Sequence, residues 1–306
     1  MNKQLTSNLI LLLTAIIWGS AFVAQRVGME YIGPFSYNAI RFAMAAAVLI
    51  PFVFFAVKKQ KRIPSTDKIN KKSQLLGGLY CGLILGTGAT LQQIALVYTS
   101  AGKTAFITAL YIVLVPIFGR LLHQTVRLNC WIAVFMAAVG LYFLWITESF
   151  SIAPMDILLL ISACFWAVHL IVVDIYLIRE ANAIILAFSQ FIVAAFISLL
   201  LFLIFETDSI KWTDIQACLI PLLYAGVLSG GIGFTLQIFG QLHTTPTVAS
   251  LILSLEAAFG AISGFLFLHE IMSPREITGC VLMLSAVIIS QIPPLPIPFS
   301  KTKRAT

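Results

Sequence analysis

Hydrophobic residues along this chain cluster into ten long runs that are separated by polar segments. A helix needs about 20 predominantly apolar residues to cross a bilayer, because the hydrocarbon core is about 30 Å thick. The runs lie at positions 8–27, 35–57, 74–97, 102–122, 128–147, 155–178, 183–205, 216–240, 246–268 and 274–292. Most connections are short, so successive helices are expected to pack as antiparallel neighbours. The pattern predicts an all-α integral membrane fold with ten transmembrane helices.

The composition supports a membrane protein and argues against a soluble one. Apolar residues make up 60% of the 306 positions, and charged residues make up 10%. An ordinary soluble domain carries about 25% charged residues. The five cysteines all lie within apolar runs, and none has the C-x-x-C spacing of a metal site. We interpret them as small buried hydrophobic residues and expect no disulfide.

The positions of lysine and arginine predict how the chain is oriented in the membrane. If the N-terminus is cytoplasmic, fourteen of these residues lie on the cytoplasmic side and four lie outside. Cytoplasmic loops of membrane proteins carry this kind of excess. Both termini are therefore expected in the cytoplasm, with the protein in a bacterial cytoplasmic membrane. The formal charge of +7 then reflects topology, and no nucleic-acid partner is expected.

Similar segments occur in both halves of the chain. The motif GTGATLQ at 86–92 returns as GIGFTLQ at 231–237, an offset of 145 residues (231 minus 86). Further matches are AIIWGSAF (15–22) with ACFWAVHL (163–170), IRFAMAAA (40–47) with SQFIVAAF (189–196), and Tyr111 with Glu256. A unit of five helices is odd in number, so the second copy enters the membrane upside down. Secondary transporters of this plan bind substrate near the midplane, between the repeats.

The repeat predicts how the chain is divided. We expect a first five-helix repeat at 8–147, a second at 155–292 and a basic cytoplasmic tail at 293–306.

Several of these segments resemble the EamA domain, the five-helix unit of one branch of the drug/metabolite transporter superfamily. The resemblance rests on AIIWGSAF, PFSYNAIRF, LQQIALVYTSAGKTAFITALYIVLVP, LSLEAAFGAISGFLFLHE and the helix around Gly279. It implies ten helices, alternating access, and export of amino acids, drugs or other small metabolites. It also implies that the fifth and tenth helices form a peripheral support or a dimer surface.

The sequence departs from this family pattern in two places. It has LEAA at 255–258, where many relatives have Leu-Glu-Pro, so we expect a straighter ninth helix. The first repeat has LLHQ where the second has FLHE, so the carboxylate of Glu270 exists only once.

Polar and aromatic residues within the predicted helices are candidates for a binding cavity, because a polar group in hydrocarbon is costly unless it is paired. The candidates are Trp18, Asn38, Arg41, Gln92, Thr108, Tyr111, Trp166, His169, Gln190, Gln237 and Glu256.

Two charged residues stand out among the candidates. Glu256 lies about ten residues into the ninth helix, close to the membrane midplane. It is either a proton-coupling or amine-binding carboxylate, or a structural acid held by hydrogen bonds. Arg41 lies one turn after Asn38 on the same helix face, and its counterpart Gln190 is neutral. Arg41 is either a ligand for a substrate carboxylate or the partner of an acid or a carbonyl group.

The repeated motif places a glutamine four residues after a glycine in both copies. Gln92 follows Gly88, and Gln237 follows Gly233. Positions 90 and 92 lie about 200° apart around a helix, so a glutamine and the nearby threonine cannot face the same cavity. We expect the glutamines to face the cavity, and Thr90 and Thr235 to bond their own helix backbone. The alternative is that both are packing residues.

The other candidates are aromatic or weakly polar. Thr104, Thr108 and Tyr111 follow at i, i+4 and i+7, so they share one face of the fourth helix. Trp18 and Trp166 lie in the middle of their helices, although tryptophan prefers membrane interfaces. They either bind an apolar or cationic substrate or fill space. For His169 a packing role is the alternative to binding.

These features together predict a secondary transporter that exports an amino acid or a related small organic molecule by alternating access. A multidrug, cationic-compound, nucleoside or nucleotide-sugar carrier is the alternative.

A membrane enzyme is disfavoured because no nucleophile elbow, H-E-x-x-H motif or paired catalytic acids occur. A receptor is also disfavoured, because receptor function does not require two interchangeable halves. We expect a small-molecule substrate and the bilayer as partners of a monomer or homodimer, with a coupling proton as a candidate partner and without cofactor or metal.

Overall fold

A computed structural model of the protein describes residues 3–60, 71–145, 153–179, 181–207, 210–268 and 272–292. These residues form helices and connecting turns, and no strand occurs among them. The predicted tail at 293–306, most of the basic loop at 58–72 and Glu270 lie outside the described residues.

The ten spans correspond closely to the ten apolar runs. Spans 1–5 are Lys3–Gly28, Pro34–Gln60, Lys71–Tyr98, the pair Ala101–Ala109 and Tyr111–Leu121, and Leu128–Trp145. Spans 6 and 7 are Pro154–Ile178 and Ala183–Phe205. Span 8 joins Leu219–Leu223, a π-helical segment Tyr224–Phe234 and Thr235–Gln241. Span 9 is the pair Pro246–Leu253 and Glu256–Leu268, and span 10 is Pro274–Gln291. A short helix, Trp212–Ala217, precedes span 8.

Nine of the described spans are long and apolar enough to cross a membrane by length and composition alone. Span 10 has 18 residues and begins with Pro274, Arg275 and Glu276, which lower its mean hydropathy. The fold is an all-helical membrane fold of ten spans in two inverted repeats of five.

The main helix contacts join the two halves of the chain. Span 1 packs against spans 8 and 9, and its counterpart, span 6, packs against spans 3 and 4. Span 2 packs against spans 7 and 8, while span 7 packs against spans 2 and 3. Exchanging each span for the one five places away reproduces the same set of contacts. The repeats therefore interlock across a pseudo-twofold axis instead of standing as two separate bundles.

Spans 4 and 9 are interrupted at equivalent positions. The amide of Leu110 donates to the carbonyl of Ile107, and the amide of Leu255 donates to the carbonyl of Ile252, both at 3.2 Å. These are i→i+3 bonds, which tighten the helix locally. The expectation of a straighter ninth helix is therefore wrong. Proline is absent from 255–258, yet the helix still breaks, and the Ser254 hydroxyl competes for the carbonyl of Leu251 at 2.9 Å.

Two inter-repeat contacts lie at the membrane end where spans 2, 4 and 6 begin. Glu206, at the end of span 7, accepts hydrogen bonds from the amides of Phe35 at 3.1 Å and Ser36 at 2.7 Å. A carboxylate is favourable there, because the first amides of a helix lack internal partners. Lys103 Nζ lies 2.7 Å from Asp156 Oδ2, which joins span 4 to span 6.

The opposite end of the bundle is held by amide side chains. Asn8 Nδ2 donates to Gln291 Oε1 at 2.7 Å, which joins span 1 to span 10. Thr244, between spans 8 and 9, donates to Asn8 Oδ1 at 3.2 Å. Each end of the bundle is thus held by bonds between the halves.

Spans 5 and 10 pack against each other at a close crossing of two glycines. A Cβ atom at Gly140 would lie 2.8 Å from the carbonyl oxygen of Gly279, and one at Gly279 would lie 2.6 Å from the carbonyl oxygen of Gly140. Small residues of this kind allow close backbone approach in membranes.

We predict that Gly140→Leu destabilises the protein by about 1–3 kcal/mol, because the crossing has no room for a side chain. The measurement is the thermal unfolding midpoint of purified protein in detergent. Phe135→Leu on the same span is the control, since Phe135 is 72% exposed. Equal midpoints for the two variants would contradict the prediction.

Candidate functional site

A small cavity lies at the centre of the bundle, between spans 1–4 of the first half and spans 6, 8 and 9 of the second. Its volume is about 50 Å³. It is lined by Trp18, Ala21, Phe22, Gln25, Arg41, Gln92, Thr108, Tyr111, Trp166, His169, Leu170, Ser229, Phe234, Leu253 and Glu256. Ligand pockets typically measure about 300–1,000 Å³. The cavity is therefore smaller than a typical ligand pocket.

Ten of the lining residues form five pairs that occupy equivalent positions in the two repeats. Three pairs on spans 1 and 6 are 148 residues apart, and two on spans 4 and 9 are 145 apart. The pairs are Trp18 with Trp166, Ala21 with His169, Phe22 with Leu170, Thr108 with Leu253, and Tyr111 with Glu256. The cavity thus lies on the pseudo-twofold axis, where both repeats contribute the same faces of the same helices.

Phe234 lies at the centre of an aromatic cluster in this cavity. Its ring centroid is 4.5 Å from that of Trp18, 5.9 Å from Trp166 and 6.1 Å from His169. Phe191 packs behind it at 5.7 Å. Rings at these separations and tilts attract each other beyond simple burial of area. The cluster makes one wall of the cavity aromatic.

The two tryptophan indoles donate to different kinds of partner. Trp166 Nε1 donates to the side chain of Gln92 at 2.8 Å. Trp18 Nε1 donates to the backbone carbonyl of Ser229 at 3.2 Å, although pseudo-symmetry would pair it with Gln237. Ser229 belongs to the π-helical segment, where the i→i+5 pattern rotates the residues that follow around the helix axis. The π-helix thus breaks the symmetry of the site.

Arg41 places a guanidinium at the cavity wall, and its side chain is 7% exposed. Nη1 donates to Gln25 Oε1 at 2.7 Å. The guanidinium carbon lies 4.7 Å from the centroid of the Phe42 ring. Nε has no hydrogen-bond partner. A buried guanidinium with an unused donor can bind a carboxylate or another planar anion.

A second polar wall forms where spans 4 and 9 are interrupted. Tyr111 begins the second helix of span 4, and Glu256 begins the second helix of span 9. Their side chains are each 3% exposed and close enough to interact electrostatically. The hydroxyl of Thr108 has no hydrogen-bond partner, and the hydroxyl of Tyr111 has none other than Glu256. These groups can donate to a bound molecule or to water.

Eight of the eleven candidate residues line the cavity, and three do not. Asn38 donates to the carbonyl of Ala89 at 3.3 Å, between spans 2 and 3. Gln190 lies one layer behind the wall, where Oε1 contacts His169 Nε2 at 2.9 Å. Gln237 donates to Gln241, one turn further along span 8. The expectation that these three line the cavity is wrong because each is turned to a neighbour within the bundle.

The threonines of the repeated motif also differ. Thr235 donates to the carbonyl of Gly231 at 2.6 Å, which confirms the expected bond to its own helix. The Thr90 hydroxyl is buried without a partner, so the same expectation is wrong for the first copy.

The structure adds three important cavity residues to the candidates: Gln25, Ser229 and Phe234. Phe234 was detectable, because it stands opposite Ala89 at one of the two positions where the copies of the repeated motif differ. Gln25 shares a helix face with Trp18, seven residues earlier. Ser229 contributes its carbonyl through the π-helical segment, and no sequence pattern signalled that segment.

Among the described residues, no group of three or more His, Cys, Asp or Glu side chains could hold a metal ion.

The ten-span inverted repeat and its axial cavity define a class of membrane transport protein, and sequence comparison gives the family. The chain belongs to the EamA-like transporter family, whose model matches residues 5–146 and 153–291. It is 33% identical to an uncharacterized transporter from Archaeoglobus fulgidus, over 94% of this chain and 86% of that one. It is 23% identical to the uncharacterized transporter YoaV of Bacillus subtilis, over 90% of this chain and 93% of that protein.

A solved crystal structure shares the fold. It superposes with a TM-score of 0.74, at 16% sequence identity, over 94% of this chain and 96% of the other. At this identity the likeness concerns the fold alone.

We predict that Phe234→Ala destabilises the protein by about 3–5 kcal/mol, because removing a core ring leaves a void that its neighbours fill only in part. Thermal unfolding in detergent checks this. Phe196→Ala is the matched control, since Phe196 is 59% exposed on span 7. If both variants unfold at the same temperature, Phe234 is not the centre of the cluster.

Proposed function

We propose that the protein is a secondary transporter that exports a small organic metabolite by alternating access. It would lie in a bacterial cytoplasmic membrane with both termini in the cytoplasm. The observation that carries this proposal is the cavity lined by five pairs of equivalent residues from two inverted repeats. When two such repeats exchange conformations, a site on their axis can open to either side of the membrane.

The contacts between the halves fit an exchange of this kind. Glu206 and the Lys103–Asp156 pair hold one end, and Asn8 holds the other. In this proposal, a form with both ends held and a cavity of about 50 Å³ would be the occluded one. Opening one end would require breaking the contacts there while the opposite set persists.

The irregular helix segments supply points at which the spans can bend. Spans 4 and 9 are interrupted directly before Tyr111 and Glu256, so bending there would move these side chains. The π-helical segment of span 8 carries both Ser229 and Phe234. π-helical segments are frequent at functional sites.

An amino acid or a related molecule with both charges is the substrate class that the cavity fits best. Arg41 would bind the carboxylate, Glu256 would bind the amine, and the rings around Phe234 would contact the apolar part. Aromatic faces also attract organic cations and stack on bases, so cationic compounds and nucleosides are the second class. A thermal-shift screen of purified protein against these classes, followed by flux into proteoliposomes, tests the assignment. Binding without flux, or chemical conversion of a ligand, would reject the transporter proposal.

Glu256 is the candidate for proton coupling. In hydrocarbon a neutral carboxyl is far less costly than a carboxylate, so the release of a proton can be tied to the opening of the site to water. Tyr111 lies beside it and offers a hydroxyl without another partner. The coupling proton and the substrate would then bind at the same side chain.

We predict that transport by Glu256→Gln loses its dependence on pH, because glutamine keeps the shape and cannot release a proton. Flux is measured in proteoliposomes across a series of pH values. Glu30→Gln is the control, since Glu30 is an exposed carboxylate after span 1, and it should keep the pH profile of the unmodified protein. An unchanged profile in Glu256→Gln would assign Glu256 a structural role.

We predict that Arg41→Gln raises the KM for an amino acid substrate about tenfold or more, because a hydrogen bond to a charged group contributes about 1.5–3 kcal/mol. The change makes the first repeat resemble the second, which has Gln190 at this position. Arg120→Gln, at an exposed site, is the control and should leave the KM unchanged. If the KM of Arg41→Gln is as unchanged as that of the control, Arg41 does not bind the substrate.

A further inference from the structure

A second and larger cavity lies on the opposite face of span 1 from the central one. It measures about 750 Å³ and lies between spans 1, 8 and 9. Span 1 contributes Ile16, Ser20, Val23, Ala24, Val27 and nearby Tyr31. These positions lie about 160° around the helix from the face that carries Trp18 and Gln25. We call this second cavity the lateral groove, and it is separate from the proposed substrate site.

The lateral groove opens toward the lipid. Several of its lining residues are strongly exposed: Ile16 at 43%, Ile220 at 79% and Leu266 at 58%. From Ile16 to Val27 the groove follows twelve residues of helix, which is eleven steps of 1.5 Å or about 16 Å. That length is about half of a 30 Å hydrocarbon core, and so matches one leaflet of the bilayer.

Two polar side chains of the groove bond to each other. Ser20 Oγ lies 2.5 Å from Tyr224 Oη, and Tyr224 also donates to the carbonyl of Ile17 at 3.4 Å. The other lining residues are apolar apart from Tyr31 and Ser263. The floor therefore offers mainly apolar contact, which favours a hydrocarbon chain as occupant.

Two small residues of the groove stand opposite larger residues in the other repeat. Ser263 corresponds to Phe118, and Ala24 corresponds to Val172. Phe118 packs against a buried core cluster. Larger side chains at positions 263 and 24 would therefore reduce the space in the groove.

One end of the groove lies at the level of the lipid headgroups. Tyr31 lines this end and is 43% exposed, and Trp212 on the neighbouring short helix is 70% exposed. Exposed tyrosine and tryptophan mark the membrane interface. Arg26 lies in the last turn of span 1, next to Val27. An arginine at this level attracts an anionic headgroup.

We propose that the lateral groove binds one acyl chain of an anionic phospholipid, with the headgroup at Arg26. The bound chain fills the space behind span 1, on the side away from the central cavity. This site does not depend on the identity of the transported molecule.

The test uses purified protein in nanodiscs that contain phosphatidylglycerol with a photoreactive acyl chain. After illumination, mass spectrometry of the digested protein locates the label. In the unmodified protein we expect the label to be concentrated on groove residues of spans 1 and 8. In Ser263→Phe we expect groove labelling to fall to the level seen on the exposed face of span 7. Leu200→Phe, on the exposed face of span 7, should leave groove labelling unchanged. Even labelling of all exposed faces, or no effect of Ser263→Phe, would overturn the proposal.

The headgroup part of the proposal has its own measurement. Groove labelling by phosphatidylglycerol should exceed that by phosphatidylcholine about fivefold, as expected for one arginine near the surface. Arg26→Gln should abolish this preference and keep labelling by both lipids. Equal labelling by both lipids in the unmodified protein would overturn the assignment of Arg26.

Two further outcomes are decisive. If Ser263→Phe fails to fold, Ala24→Val provides the same test with a smaller side chain and should also reduce groove labelling. Absence of groove labelling together with a dimeric mass in the nanodisc would assign the groove to a second copy of the chain, which would overturn the lipid proposal.

Discussion

The hydrocarbon core contains no water to satisfy a polar group, so every such group inside the bundle must find a partner in the protein or lie at a cavity. In this chain several of those partners come from the other repeat. Trp166 donates to Gln92, Ser162 donates to the carbonyl of Gly88, and Tyr37 donates to the carbonyl of Pro221. Buried polar groups thus hold the two halves together. Among the buried side-chain atoms without partners, Arg41 Nε and the hydroxyl of Thr108 lie at the central cavity, whereas others, such as the hydroxyls of Thr90 and Ser198, lie away from it.

Pseudo-symmetry creates the central site, and departures from it give the site its chemistry. The same helix faces meet at the axis, yet Ala21 stands opposite His169 and Tyr111 stands opposite Glu256. Arg41 pairs with Gln25 on span 1, while its counterpart Gln190 pairs with His169 on span 6. One repeat therefore contributes the guanidinium and the other contributes the carboxyl group. This difference is the basis of the proposal that the substrate carries both charges.

The two repeats also differ at the outer surface of the bundle. Span 1 separates the central cavity from the lateral groove, and Gly19 crosses span 9 closely beside Gly260. If the groove binds a lipid chain as proposed, that chain would contact span 1 on the side away from the central cavity. In the other repeat Phe118, the counterpart of Ser263, packs against a buried core cluster.

The sequence alone determined the ten spans, their inverted repeat and the positions of Trp18, Arg41, Tyr111 and Glu256 near the axis, because hydrophobic length and helical period act locally along the chain. Tertiary structure decided which polar side chains reach the cavity. Gln92 reaches the cavity and Gln237 does not, because the π-helical segment rotates the second copy of the repeated motif around the helix axis. The helix interruptions before Tyr111 and Glu256 were likewise decided by packing against neighbouring spans. Local patterns set which residues are polar, and packing between distant segments set the direction in which each one points.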